Sequence, residues 1–141
     1  MTTPSQTVGP FFTIGLTERQ DPGGTVRLSG RVLDGAGEPV PDALVETWQS
    51  DPPVFARCPT DAGGHWAVLV APAAYVNVSV FARGLLNRVV TRAYLNADAT
   101  DPVLVSIEPD RRATLVAAAI DDGYTFDVHL QGPHETVFFS L

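Results

Sequence analysis

Glycine and proline punctuate this chain from end to end, twelve of each in 141 residues. They gather in short clusters (DGAGEP at 34–39, DPP at 51–53, DAGG at 61–64, DDG at 121–123) that read as turns. Glycine admits positive φ, proline fixes its own φ and withdraws a donor, and both break helices. Frequent breaks of this kind leave room for many short strands. Between them the apolar period is two. VRLSGRV (26–32) alternates, ALVETWQ (43–49) sets Leu44, Glu46 and Trp48 on one face, and AYVNVSVFA alternates from Tyr75 to Ala82. HWAVLV (65–70) and RVVTRAYL (88–95) continue the pattern, with Gly84 breaking it between the last two strands.

Farther on, Asp101 before Pro102 predicts an N-cap with proline at the first helical position, hence one short helix. RRATLVAAAI and YTFDVHLQ are expected as two strands around an Asp-Gly hairpin turn, and ETVFFSL as one more. The expectation is all-β: a single antiparallel β-sandwich of about eight strands with one short helix, spanning 25–141, preceded by an extended N-terminal arm over 1–24. A chain of this length suits one domain and buries roughly 70% of its unfolded surface.

Composition narrows the function. Mean hydropathy is +0.09, and no apolar run approaches the roughly 20 residues of a membrane span. No signal pattern is present, so a cytoplasmic location is expected. The formal net charge is −7, and all nine basic residues are arginine. That balance argues against nucleic acid and anionic membrane as partners, yet one arginine in a pocket can still serve a small anion. Cys58 is alone and reads as a half-buried small residue.

The arm is odd. TTPSQTVGPFF (2–12) carries no charge, and none appears before Glu18, while Phe11, Phe12, Ile14 and Leu16 need a surface to cover. It reads as a segment that docks. The three histidines, His65, His129 and His134, lack the i, i+2 spacing that would set two ligands on one strand face. His65 reads as a turn or strand-edge residue. Asp127 shares a face with His129, either as a functional dyad or as an ordinary hydrogen-bonded pair. No metal is assigned to the chain. On AYVNV, Val76, Val78 and Val80 are expected in the core, with Tyr75, Asn77, Ser79 and Phe81 on the opposite face. Arg83 leaves that strand beside Gly84 and, taken alone, reads as a solvated loop residue.

Several blocks occur in one order: TPSQTVGPFF, GRVLDGAGEPVPDALVETWQSD, VFARGLLNRVVTRAYL, DPVL with RRATLVA, and FDVHLQGPHETVFFSL. Together they resemble the intradiol ring-cleavage dioxygenases over most of the chain, and within that family the α subunits of its two-subunit members. The resemblance implies a β-sandwich fold. It also implies a homologous iron-bearing β subunit as partner, holding Fe(III) through two tyrosines and two histidines, the latter as His-x-His. Tyr75 and Asn77 occupy the His-x-His positions here, and Asn is a poor donor to a ferric centre, so this chain is expected to bind no iron.

The implied function is completion of the partner's substrate pocket. Thr7, Gly9 and Pro10 match pocket-lining positions of the arm, and Arg83 matches an arginine near the same site. The implied substrates are protocatechuate (3,4-dihydroxybenzoate) and O2, and the product is 3-carboxy-cis,cis-muconate. By the same comparison the chain is short between Asp51 and Phe55 and between Leu69 and Tyr75. Two other readings compete. One is a non-catalytic transthyretin-like or carbohydrate-associated sandwich module; the other, a self-sufficient homomeric enzyme, is opposed by the missing His-x-His pair.

Overall fold

β-Branched residues on a period of two favour a pleated, half-buried surface, and this chain builds ten strands from them. The computed structural model describes residues 18–97 and 100–140. In chain order the strands are β1 (Arg19–Gln20), β2 (Val26–Leu33), β3 (Leu44–Ser50), β4 (Pro53–Pro59), β5 (His65–Val70), β6 (Tyr75–Phe81), β7 (Val89–Tyr94), β8 (Ala118–Ile120), β9 (Gly123–Thr125) and β10 (Val128–His129). One short helix, α1 (Pro102–Val105), and one 3₁₀ turn, Arg112–Leu115, lie between β7 and β8.

The first sheet runs β1-β4-β3-β6-β7, antiparallel throughout. The second is organised on β2, which pairs antiparallel with β5 along one edge. On its other edge β2 takes β9 and then β10, both parallel, and β8 returns antiparallel on β9. The core fills the space between the sheets. Val45, Val76, Val78 and Val80 enter from the first sheet, and Leu28, Trp66, Val70 and Val128 from the second. The three valines of β6 are fully buried as expected, and Tyr75, Asn77, Ser79 and Phe81 are half-buried on its other face. No helix among the described residues is long and apolar enough to cross a membrane.

Four local expectations are corrected. The second sheet is mixed, because the chain returns along β2 in the same direction after β8. Asp51, Pro52 and Pro53 do not end the strand region. They turn β3 straight back into β4, with Ser50 opposite Pro53. RRATLVAAAI is strand only at Ala118–Ile120, because side-chain-to-backbone bonds hold its first half in a turn. The Arg112 guanidinium donates to the carbonyls of Ile107 and Val105, Arg111 donates to that of Glu135, and the Thr114 hydroxyl donates to that of Arg111. The last stretch, ETVFFSL, joins a sheet only through an isolated bridge from Phe139 to Val90, and Leu141 lies outside the described residues.

The helix forms where expected. Asp101 Oδ1 accepts from the backbone N–H groups of Val103 and Leu104 at 2.9 and 3.0 Å, satisfying two of the donors a first turn leaves orphaned. Its one buried side chain, Leu104, joins Tyr94 and Leu115 in a small satellite core.

Candidate functional site

The corner between β2 and β3 and the exit of β6 meet at one end of the sandwich. β6 ends at Phe81, and the next residues form a tight turn in which Leu85 N–H donates to the Ala82 carbonyl at 3.2 Å. Gly84 makes that turn possible with φ +86°, a value that L side chains rarely adopt. Arg83 thereby leaves the sheet and points toward the corner. Its Nε and Nη2 both donate to a single oxygen, Asp42 Oδ2, at 2.9 and 2.5 Å. Arg83 is therefore an ion-paired arginine at the surface, its side chain 65% exposed and that of Asp42 23%.

Asp42 stands on a fixed mount. The buried Thr60 hydroxyl donates to the Val40 carbonyl at 2.8 Å and accepts from Ala43 N–H at 2.9 Å, spanning the two residues between them. Beside the pair opens a hollow of about 430 Å³ with Val40, Leu85 and Leu130 in its wall and Arg83 and Asp42 at its rim. Apolar walls with one directional cation suit a flat ring bearing an acidic substituent. Thr7, Gly9 and Pro10 lie outside the described residues.

Tyr75 and Asn77 occupy one face of β6, and that face already holds a cation. Asn77 sits opposite Arg92 of β7, whose guanidinium carbon lies 4.1 Å from the Tyr75 ring centroid. Arg92 Nη1 also donates to Tyr94 Oη at 3.3 Å, and Tyr94 Oη donates to Asp101 Oδ1 at 3.1 Å. Burial pushes the Tyr94 phenol above its ordinary range. The Asn77 amide donates to the Trp48 carbonyl at 3.2 Å. An amide committed as a donor and a ring covered by a guanidinium do not fit a ferric ion. Among the described residues no group of three or more His, Cys, Asp or Glu could hold a metal ion.

The histidines separate into two places. His65 opens β5, its Nδ1 3.4 Å from Asp61 Oδ1. That carboxyl sits below its usual range chiefly because it accepts the His65 backbone N–H. His129 and His134 face each other with ring centroids 6.3 Å apart, beside a hollow of about 400 Å³ that Asp127 also lines. Asp127 is occupied elsewhere, its Oδ1 accepting from Arg31 N–H at 2.9 Å. No hydrogen bond joins it to His129 among the described residues, so the dyad reading gives way to the structural one. Cys58 is half-buried, and burial raises its thiol pKa.

Asp42 and Arg92 were not singled out from the sequence. Asp42 ends the PVPD corner, but its partner lies 41 residues away, and no local pattern announces such a pair. Arg92 sits in a plain alternating strand and becomes informative only once its register with Asn77 is known.

Comparison with known proteins completes the description of the site. Residues 13–75 match a family described as Dioxygenase (Dioxygenase_C). The chain is 38% identical to the protocatechuate 3,4-dioxygenase alpha chain of Burkholderia cepacia, the match covering 99% of this chain and 97% of that one. It is 36% identical to the protein of the same name from Pseudomonas putida, over 99% and 96% of the two chains. Among solved structures it resembles the dioxygenase domain of a dioxygenase–carbohydrate-binding protein fusion from Streptomyces sp. SirexAA-E. There the TM-score is 0.53 at 20% identity, over 79% of this chain and 82% of that one, a likeness of fold. The Burkholderia alignment runs over 191 positions against the 141 residues present here, so that relative carries stretches this chain lacks. Both connections expected to be short are short. β3 turns into β4 through Asp51 and Pro52, and four residues, 71–74, join β5 to β6.

Proposed function

The chain belongs to the intradiol ring-cleaving dioxygenase family, and from that premise we propose that it works as the iron-free α subunit of a protocatechuate 3,4-dioxygenase. Its partner is a homologous β chain that carries Fe(III). The assembled enzyme cleaves 3,4-dihydroxybenzoate between its two hydroxyl-bearing carbons with O2, giving 3-carboxy-cis,cis-muconate, in the cytoplasm. The near-full-length match to two α chains carries this reading. The face of β6 supports it, since Tyr75 and Asn77 stand beside Arg92 in an arrangement unsuited to a ferric centre.

In this reading the partner supplies the metal and the oxygen chemistry, and this chain supplies surface. Thr7, Gly9 and Pro10 line the partner's pocket, where an uncharged arm can be buried without stranding a charge. Gly9 permits close backbone approach and Pro10 stiffens the arm. Arg83 faces the anionic substrate from the side of the hollow at the β2–β3 corner.

Co-expression with a His-x-His-bearing homologue from the same organism tests the proposal. The expected result is a co-purifying complex, coloured by ferric iron, that consumes O2 when given 3,4-dihydroxybenzoate. A colourless chain that ignores every such homologue, or one that takes up stoichiometric iron by itself, overturns it.

A further inference from the structure

The DGAGEPVP corner is the most conspicuous motif in the sequence, and nothing so far gives it a task beyond turning the chain. The geometry points to one: Asp42, at the end of that corner, is the positioning residue for Arg83. This rests on the reading of Arg83 as a pocket residue.

Three observations carry it. First, the two partners differ in how firmly they are held. The backbone on either side of Asp42 is pinned by the Thr60 hydroxyl. Arg83 sits in a turn closed by one 3.2 Å hydrogen bond, next to a glycine whose missing side chain would meet nothing within 4 Å. The carboxylate is the anchor and the arginine is the movable arm. Second, the contact uses one edge of the guanidinium only. Nε and Nη2 both go to Oδ2. Nη1 has no partner among the described residues, so the end of the fork formed by Nη1 and the second Nη2 hydrogen stays available for another carboxylate. Third, the pair stands at the rim of the hollow beside Leu85 and Leu130, so a ring in the hollow would present its acidic group to that end.

An arginine held beforehand loses less freedom when it binds. The contribution is directional rather than one of net charge, because the aspartate offsets the arginine's own charge. This fixes the sign of the test. If positive potential alone mattered, neutralising Asp42 would tighten binding of an anion; positioning requires that it weaken binding.

The experiment uses the complex with the iron-bearing homologue, assembled with wild-type, D42N, D42E, R83A and D42N/R83A chains. Readouts are kcat and KM for 3,4-dihydroxybenzoate by O2 uptake, inhibition constants for 4-hydroxybenzoate and its uncharged isostere 4-hydroxybenzamide, and iron content. For D42N, KM and the 4-hydroxybenzoate inhibition constant are expected to rise about fivefold to tenfold, the scale of one well-aligned charge-assisted hydrogen bond. The benzamide constant and kcat should stay within about twofold, since uniform binding rather than the chemical step is affected. Iron content should not change. D42E, which restores a carboxylate, should recover most of the affinity. D42N should add nothing in the R83A background.

Wild-type or lower KM in D42N, with R83A still impaired, overturns the positioning role and leaves the Arg83 reading intact. So does a D42N effect that persists in the R83A background. Full activity of R83A removes Arg83 from the pocket and this inference with it. Misfolding does not confuse the result, because an ion pair this exposed contributes little to stability and D42E keeps the carboxylate.

Discussion

A buried hydroxyl that serves two backbone groups at once is hard to replace, and Thr60 is such a residue. It donates to the Val40 carbonyl and accepts from Ala43 N–H, and it is 8% exposed. Thr60→Val keeps the shape and deletes both bonds, leaving a carbonyl and an N–H without their partner. The expected loss is about 1–3 kcal/mol of unfolding free energy, read from urea denaturation, with Thr60→Ser close to wild type. If Thr60 is the mount for Asp42, the same valine variant should also raise KM for 3,4-dihydroxybenzoate in the complex. A T60V chain that unfolds at the wild-type urea midpoint removes the hydroxyl from this account. Residue-scale reading of the sequence went as far as local pattern goes. It expected Asp101 as a cap and the β6 valines in the core, because neighbours along the chain fix both. It took Arg83 alone as solvated, because the carboxylate beside it arrives from a distant turn.

At the scale of elements, alternation exposed the long strands and their turns, since a period of two survives wherever one face is buried. The third of the chain after β7 resisted the same reading for a physical reason. Its path is set by arginine and threonine side chains bonding to backbone carbonyls, and by parallel pairing with β2 roughly a hundred residues earlier. Neither leaves a period in the sequence. The element there that was legible, α1, owes its start to Asp101, and its pH dependence follows. Backbone N–H donors, Leu104 first, hold the Asp101 carboxyl below the usual carboxylate range. A carboxyl with a depressed folded pKa stabilises fully above its unfolded value, about 3.9, and loses that contribution as pH falls through the folded value. Asp101→Ala should therefore lower stability by about 1 kcal/mol at neutral pH. The difference in melting temperature between the two proteins should shrink as pH drops below about 4. A gap that stays constant from pH 7 to pH 3 shows that the ionised carboxylate is not what caps α1.

For the whole molecule, the decisive joint is where the returning chain meets β2. β9 and β10 both lie parallel to β2, and the chain kinks between them at Phe126 and Asp127. Phe126 turns its ring into the core while its N–H donates to the Ser29 carbonyl at 2.7 Å, and Asp127 takes the N–H of Arg31. These two bonds flank Gly30, and a Cβ placed there would stand 1.9 Å from the Phe126 carbonyl oxygen. The obstacle is a backbone atom, so no side-chain rotation can relieve it. Gly30→Ala must push the kink away from β2, straining both flanking bonds and the contact of Phe126 with the core. Overpacking of this kind costs about 1–3 kcal/mol, and the upper part of that range is expected because backbone has to move. The loss should be shared unevenly. Amide hydrogen exchange should accelerate at Thr125–Val128 and at Arg31, while β3, β6 and β7 in the other sheet keep their protection in the folded state. Ala at this position with an unchanged melting temperature and unchanged exchange would mean that the kink is loosely held, and that the C-terminal third is docked on the sandwich rather than built into it.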